Sequence, residues 1–176
     1  MSAVEALIFD MDSTLADTSG VWRAAEERLL TGLGQAWSRE LQRQYAGMNA
    51  LDVAATVHRI VRPPMPVATC QRIMRDGLVE AYRAATAPEV PGASAMVTRL
   101  AGRVPMAVAS GSPMEGIEIA LRQIGLAGRF DLLLTSETVR RGKPHPDVFL
   151  AAAERLGVRA AGCVVFEDSQ HGARAA

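Results

Sequence analysis

Val4-Glu5-Ala6-Leu7-Ile8-Phe9-Asp10-Met11-Asp12-Ser13-Thr14-Leu15 is the stretch that decides the fold: a short, mostly apolar run from 4 to 9 stops abruptly at two acids. Runs of the same kind recur at 104–109 (Val-Pro-Met-Ala-Val-Ala), 131–135 (Asp-Leu-Leu-Leu-Thr) and 162–166 (Gly-Cys-Val-Val-Phe). They are continuous rather than alternating, as strands covered on both faces by helices are. Between the last three the period changes. Residues 113–124 put Ile117, Ala120, Leu121 and Ile124 on one helical face, and a second helical pattern over 147–156 is stopped by Gly157. Strands alternating with helices predict an α/β fold, a Rossmann-like parallel sheet.

The segment 19–87 breaks that alternation. Trp22, Ala25, Leu29 and Leu33 lie at helical spacing, as do Leu51, Ala54, Val57 and Val61, and 67–85 is a third helical stretch set off by Pro63, Pro64 and Pro66. A helical insertion after the first strand is therefore expected over 19–87, with the core formed by 1–18 and 88–176. Asp17-Thr18-Ser19-Gly20 would lead out and 87–92 would lead back. Trp22 is read as core of the insertion rather than as a platform for substrate.

Composition excludes several classes of function. Lys plus Arg and Asp plus Glu number 19 each, so the formal charge is zero and no basic stripe suggests nucleic acid. No apolar run approaches the roughly 20 residues of a membrane span, and Glu5 and Asp10 interrupt the early apolar stretch, so no signal peptide is read. Cys70 and Cys163 have no metal-site spacing, and Cys163, inside an apolar run, reads as a small buried hydrophobe. A soluble, cytoplasmic monomer is expected.

In open parallel sheets, ligands bind beyond the carboxyl ends of the strands. After the first run stand Asp10 and Asp12, after the second Ser110, after the third Lys143, and after the fourth Glu167 and Asp168. Acids, a hydroxyl and an ammonium meeting at one edge suit phosphoryl transfer. A hard cation such as magnesium takes carboxylate oxygens, and the transferring group needs cationic partners and an in-line nucleophile. Asp10 is the candidate nucleophile, and Asp12, on the same side of an extended chain, the candidate acid and base. Taken singly, Asp10 and Asp12 read equally as a turn or a helix cap, and Ser110 as a cap for the helix near Pro113. The order of all the groups together carries the reading.

These residues resemble four motifs of the haloacid dehalogenase superfamily: Asp10-Met11-Asp12-Ser13-Thr14, Val108-Ala109-Ser110-Gly111-Ser112, Gly142-Lys143-Pro144-His145-Pro146-Asp147, and Phe166-Glu167-Asp168-Ser169. The helical insertion matches the cap of the subgroup holding sugar-phosphate phosphatases and β-phosphoglucomutases. The resemblance implies a magnesium-dependent phosphatase acting on a small phosphorylated metabolite through an aspartyl-phosphate intermediate. Asp10 would be the nucleophile and Asp12 the general acid and base. Magnesium would be held by the side chains of Asp10 and Asp168 and the carbonyl of Asp12, with Glu167 ligating it or supporting its shell. Ser110 and the amide near Gly111 would meet the phosphoryl group, Lys143 would neutralise charge, and Asn49 in the cap loop would touch substrate. The alternatives are a β-phosphoglucomutase-like transfer and a silent binding domain that kept the fold. A mutase needs a His, an Arg and a Lys in the cap, and the resemblance puts Trp22, Ala50 and the neighbourhood of Leu78 at those places. Two departures stand out. Ser13 replaces the Gly most common after the second Asp. The family usually continues past the fourth motif with a full helix and a further strand, so a chain ending at Ala176 is expected to be a shortened form.

Overall fold

The four apolar runs become strands: β1 (Ala6–Phe9), β2 (Met106–Ser110), β3 (Leu132–Thr135) and β4 (Cys163–Phe166). In the computed structural model, which describes residues 4–176, they lie parallel in the order β3-β2-β1-β4. Phe9 stands opposite Val108 on one side and Phe166 on the other. Whatever follows each strand therefore arrives at one edge.

β1 and β2 are buried throughout because both of their faces are covered. Leu7, Phe9, Met106 and Val108 join Ile117 and Leu121 of α6 (Met114–Gln123) in one cluster. Ile8, Ala107 and Ala109 join Val148, Phe149 and Ala152 of α7 (Asp147–Leu156) in another. β4 departs from the expectation. It lies at one edge of the sheet, Val164 is 40% exposed, and Cys163 is only partly buried. The cysteine that behaves as a buried hydrophobe is Cys70, and both thiols are free.

The insertion between β1 and β2 holds α1 (Ser19–Gly32), α2 (Arg39–Gln42), α3 (Ala50–Val61) and α4 (Val67–Ala84). α2 adds one short helix to the three expected. α5 (Ala93–Leu100) lies between the insertion and β2. α8 (Gln170–Ala175) follows β4. Ala25 and Leu29 of α1, Val53 and Val57 of α3, and Met74 and Leu78 of α4 belong to the same cluster as Leu7 and Phe9. The two crossings between insertion and sheet are tied together. Asp17 N–H donates to Pro88 O at 2.8 Å and Val90 N–H to Leu15 O at 2.9 Å. At the turn after Asp12, Ser13 has φ 61°, the left-handed region that glycine tolerates best. The turn holds with serine there because Ser13 N–H donates to Ala16 O at 2.7 Å.

Candidate active site

β1 delivers Asp10 to the sheet edge, where its N–H donates to Phe166 O at 2.9 Å. Its carboxylate is 4% exposed and takes a 2.6 Å hydrogen bond from Lys143 Nζ on Oδ1. Lys143, the sole lysine of the chain, is itself 3% exposed and also donates to Glu167 Oε2 at 2.6 Å. Glu167 Oε1 accepts from Ser169 Oγ at 2.7 Å. A side chain on residue 172 would begin 1.9 Å from Glu167 Cδ, so only glycine leaves room for this arrangement.

The charges shift one another. Burial, reinforced by Glu167 and Asp12 and opposed by Lys143, pushes the Asp10 carboxyl up to about 8. Burial works against the Lys143 ammonium, but Asp10 and Glu167 outweigh it and hold it above the ordinary lysine value. Asp168 is raised by burial and then by Glu167. Oxygens of Asp10, Glu167 and Asp168 all lie within 4.8 Å of one another. Three acids clustered around a single ammonium are short of positive charge, and their hard oxygens fit a divalent cation of the magnesium kind.

Asp12 faces a different set of partners. Its carboxylate is ringed by five groups able to donate: Thr18 Oγ1 at 2.7 Å, Trp22 Nε1 at 2.8 Å, Tyr82 Oη at 2.6 Å, Ser110 Oγ at 2.7 Å and Ser112 Oγ at 3.0 Å. Ser110 also accepts from Ser112 N–H at 2.9 Å, so its hydroxyl is doubly engaged. It does not cap α6, whose N-cap is Pro113 without a side-chain bond. Burial, then the charge of Asp12, lifts the Tyr82 phenol well above its ordinary value, which keeps it a neutral donor.

The structure thus gathers Asp10, Asp12, Ser110, Lys143, Glu167 and Asp168 at one edge. Trp22 departs from a purely core role: it packs against the core cluster while its indole N–H reaches Asp12. Thr18, Tyr82 and Ser112 were not identified from sequence as partners of Asp12. The available signal was physical: a buried Trp or Tyr needs a partner for its polar atom.

Gly111 and Asn49 meet each other at the seam. Gly111 O accepts from Ala50 N–H at 3.3 Å, and Asn49 is 5% exposed. Asn49 caps α3, accepting from Asp52 N–H at 2.9 Å and donating from Nδ2 to Asp52 Oδ2 at 2.7 Å. A Cβ on Gly142 would fall 2.1 Å from that Nδ2. His171 Nδ1 lies 2.7 Å from Ala46 O and His58 Nε2 lies 2.8 Å from Met65 O, while His145 sits exposed on the Lys143 loop.

Comparison with known proteins agrees with this geometry. The family model of haloacid dehalogenase-like hydrolases matches residues 4–176. Fructose-1-phosphate phosphatase YqaB of Escherichia coli is 31% identical over 174 residues, covering 97% of this chain and 89% of that protein. A phosphorylated carbohydrates phosphatase of Thermotoga maritima is 28% identical over 98% of this chain and 80% of its own length. Among solved structures, CbbY from Rhodobacter sphaeroides in complex with phosphate superposes with a TM-score of 0.83 at 27% identity, covering 98% of this chain and 81% of that one. A family match across nearly the whole chain, over a parallel sheet whose four strand ends carry the acids, the serine and the lysine, makes this protein an enzyme of the haloacid dehalogenase-like hydrolase family.

Proposed function

We propose that this hydrolase removes phosphate from a small phosphorylated metabolite, a sugar phosphate above all, by way of a phosphorylated Asp10. The observation that carries the reading is the buried Asp10 carboxylate held at 2.6 Å by the ammonium of Lys143, with Asp12 beyond it under separate control. Asp10 attacks phosphorus as the ester P–O bond breaks, and the leaving alkoxide takes a proton from Asp12. Asp12 then takes a proton from water as that water attacks the phospho-aspartate, releasing inorganic phosphate and restoring Asp10. Lys143 offsets the charge of the phosphoryl group, and Ser110 exchanges Asp12 for a phosphoryl oxygen when substrate enters. Asp10, Asp168 and the Asp12 carbonyl, with Glu167 beside them, would hold magnesium, which supplies charge stabilisation to the phosphoryl group.

The names of the relatives support a carbohydrate phosphate as substrate. A mutase is disfavoured by the residues at the positions it would need. Trp22 Nε1 can only donate and so cannot relay a proton, and Ala50 offers no phosphate ligand where the mutase arginine would stand. The clustered acids likewise argue against a silent scaffold, since their mutual repulsion serves no structural purpose.

The test is Asp10→Asn, assayed on an aryl phosphate and on a panel of sugar phosphates with magnesium. Turnover should be abolished while the melting temperature stays close to wild type. A loss below about tenfold, only about 1.4 kcal/mol of barrier, would remove Asp10 from the nucleophile's place.

A further inference from the structure

Beyond the nucleophile, an open cleft of about 460 Å³ lies between α3 and the loop 140–145. That volume is within the range of small-molecule sites, about 300–1,000 Å³. α3 contributes Asp52, Ala55, Thr56 and Arg59, which spacing of three and four places on one helical face. The opposite wall carries Arg140, Arg141 and Lys143, and Met48 lies between the walls.

The charges of this cleft are unevenly satisfied. Lys143 sends its ammonium away to Asp10 and Glu167. Arg141 pairs with Asp147 at 3.0 Å. Asp52, the one acid of the lining, accepts on its carboxylate from Asn49 Nδ2 at 2.7 Å and pairs with no arginine. Among the described residues Arg59 and Arg140 have no carboxylate within ion-pair distance. Two unpaired guanidiniums on facing walls form a preferred setting for a phosphate or carboxylate. The cleft also adjoins the chemistry. Lys143 lines it and sends its ammonium to Asp10, and Gly142, also in the lining, lies against Asn49.

We propose that this cleft binds the non-reacting end of the substrate through an anionic group, held by Arg59 from the insertion and Arg140 from the core. The preferred substrate is then a phosphate ester with a second anion, either a sugar bisphosphate or a phosphorylated sugar acid. This rests on the phosphatase reading. It adds a selection rule to it: a substrate that bridges α3 and the core loop draws the two together over Asp10, whereas a neutral tail leaves both arginines in water.

The experiment compares kcat and KM, with magnesium, for an aryl phosphate, a neutral hexose monophosphate, a hexose 1,6-bisphosphate and a phosphorylated sugar acid. Wild type, Arg59→Ala, Arg140→Ala, the double variant and Arg59→Lys are each assayed. The expected result is at least a tenfold preference in kcat/KM for an anionic tail over the neutral hexose monophosphate in wild type. That ratio should fall at least tenfold in the double variant, through KM rather than kcat, with partial recovery in Arg59→Lys. Which anionic substrate shows the preference distinguishes phosphate from carboxylate. A wild-type enzyme indifferent to tail charge, or a ratio untouched by the double variant, overturns the proposal. Failure of the phosphatase reading looks different: wild type would not turn over even the aryl phosphate. In that event, calorimetry of hexose 1,6-bisphosphate with Asp10→Asn and with the same variant lacking both arginines still decides, because equal affinity for the two would overturn the cleft assignment.

Discussion

At the scale of single residues, Asp12 is the most heavily partnered group of the site, and two of its partners, Trp22 and Tyr82, come from the insertion. Trp22→Phe keeps the ring and removes one donor. A hydrogen bond to a charged group is worth about 1.5–3 kcal/mol, so kcat should fall by about tenfold or more with KM much less affected. Steady-state kinetics beside a melting curve checks this, and a KM effect as large as that on kcat would count against a role through Asp12. Asp10 makes a pH prediction. Its carboxyl, at about 8 in the fold against an ordinary 3.8, keeps a proton that the unfolded chain has already released. The metal-free fold therefore has this contribution in full below about pH 4 and loses it as pH rises to about 8. Magnesium must displace that proton, so its apparent affinity should rise with pH, by up to about tenfold per unit, and level off near pH 8. Calorimetric titrations at pH 6, 7 and 8 read this out, and a pH-independent affinity contradicts it. Asp10, Asp12, Ser110, Lys143, Glu167 and Asp168 were legible because each follows a recognisable apolar run. Thr18, Tyr82 and Ser112 were not, because they carry no charge and Tyr82 stands 70 positions from the carboxylate it meets.

At the scale of elements, α8 shows a local preference overruled by a contact. Alanine is favoured over glycine inside a helix by about 1 kcal/mol, so Gly172→Ala would stabilise α8 taken alone. Its Cβ would stand 1.9 Å from Glu167 Cδ. Glu167 would have to move, carrying away one of the two carboxylates that hold Lys143. The variant should melt several degrees lower and lose most of its kcat, and an unchanged melting temperature with full activity would show that Glu167 is free to shift. The strands themselves were legible almost to the residue, since continuous apolar runs are a strong signal for buried parallel strands. β4 was misjudged because its sequence resembles the others while its position at the sheet edge, which no local pattern encodes, leaves it half covered. α2 and α5 were missed for another reason: at 4 and 8 residues they are too short for a period to declare itself.

At the scale of the whole molecule, the insertion and the sheet share one apolar cluster, from Leu78 of α4 to Phe9 of β1. Units joined by a continuous core unfold together. Both tryptophans, Trp22 and Trp37, lie in the segment of the insertion. Tryptophan fluorescence therefore follows the insertion, while far-ultraviolet circular dichroism follows all of the helices and strands. The two melting curves should coincide, and separation by more than a few degrees would mean two independent units. The seam between the parts has a further consequence. Residues 46–50 rest at once on the loops after three strands, through Gly111, through Gly142, and through Ser169 and His171. A change at any one of these loops tilts the segment that the other two must also fit. Over many generations such positions are not free to drift singly. Ala46, Gly47 and Asn49 should vary in step with the three core loops, so that this seam is inherited as a block.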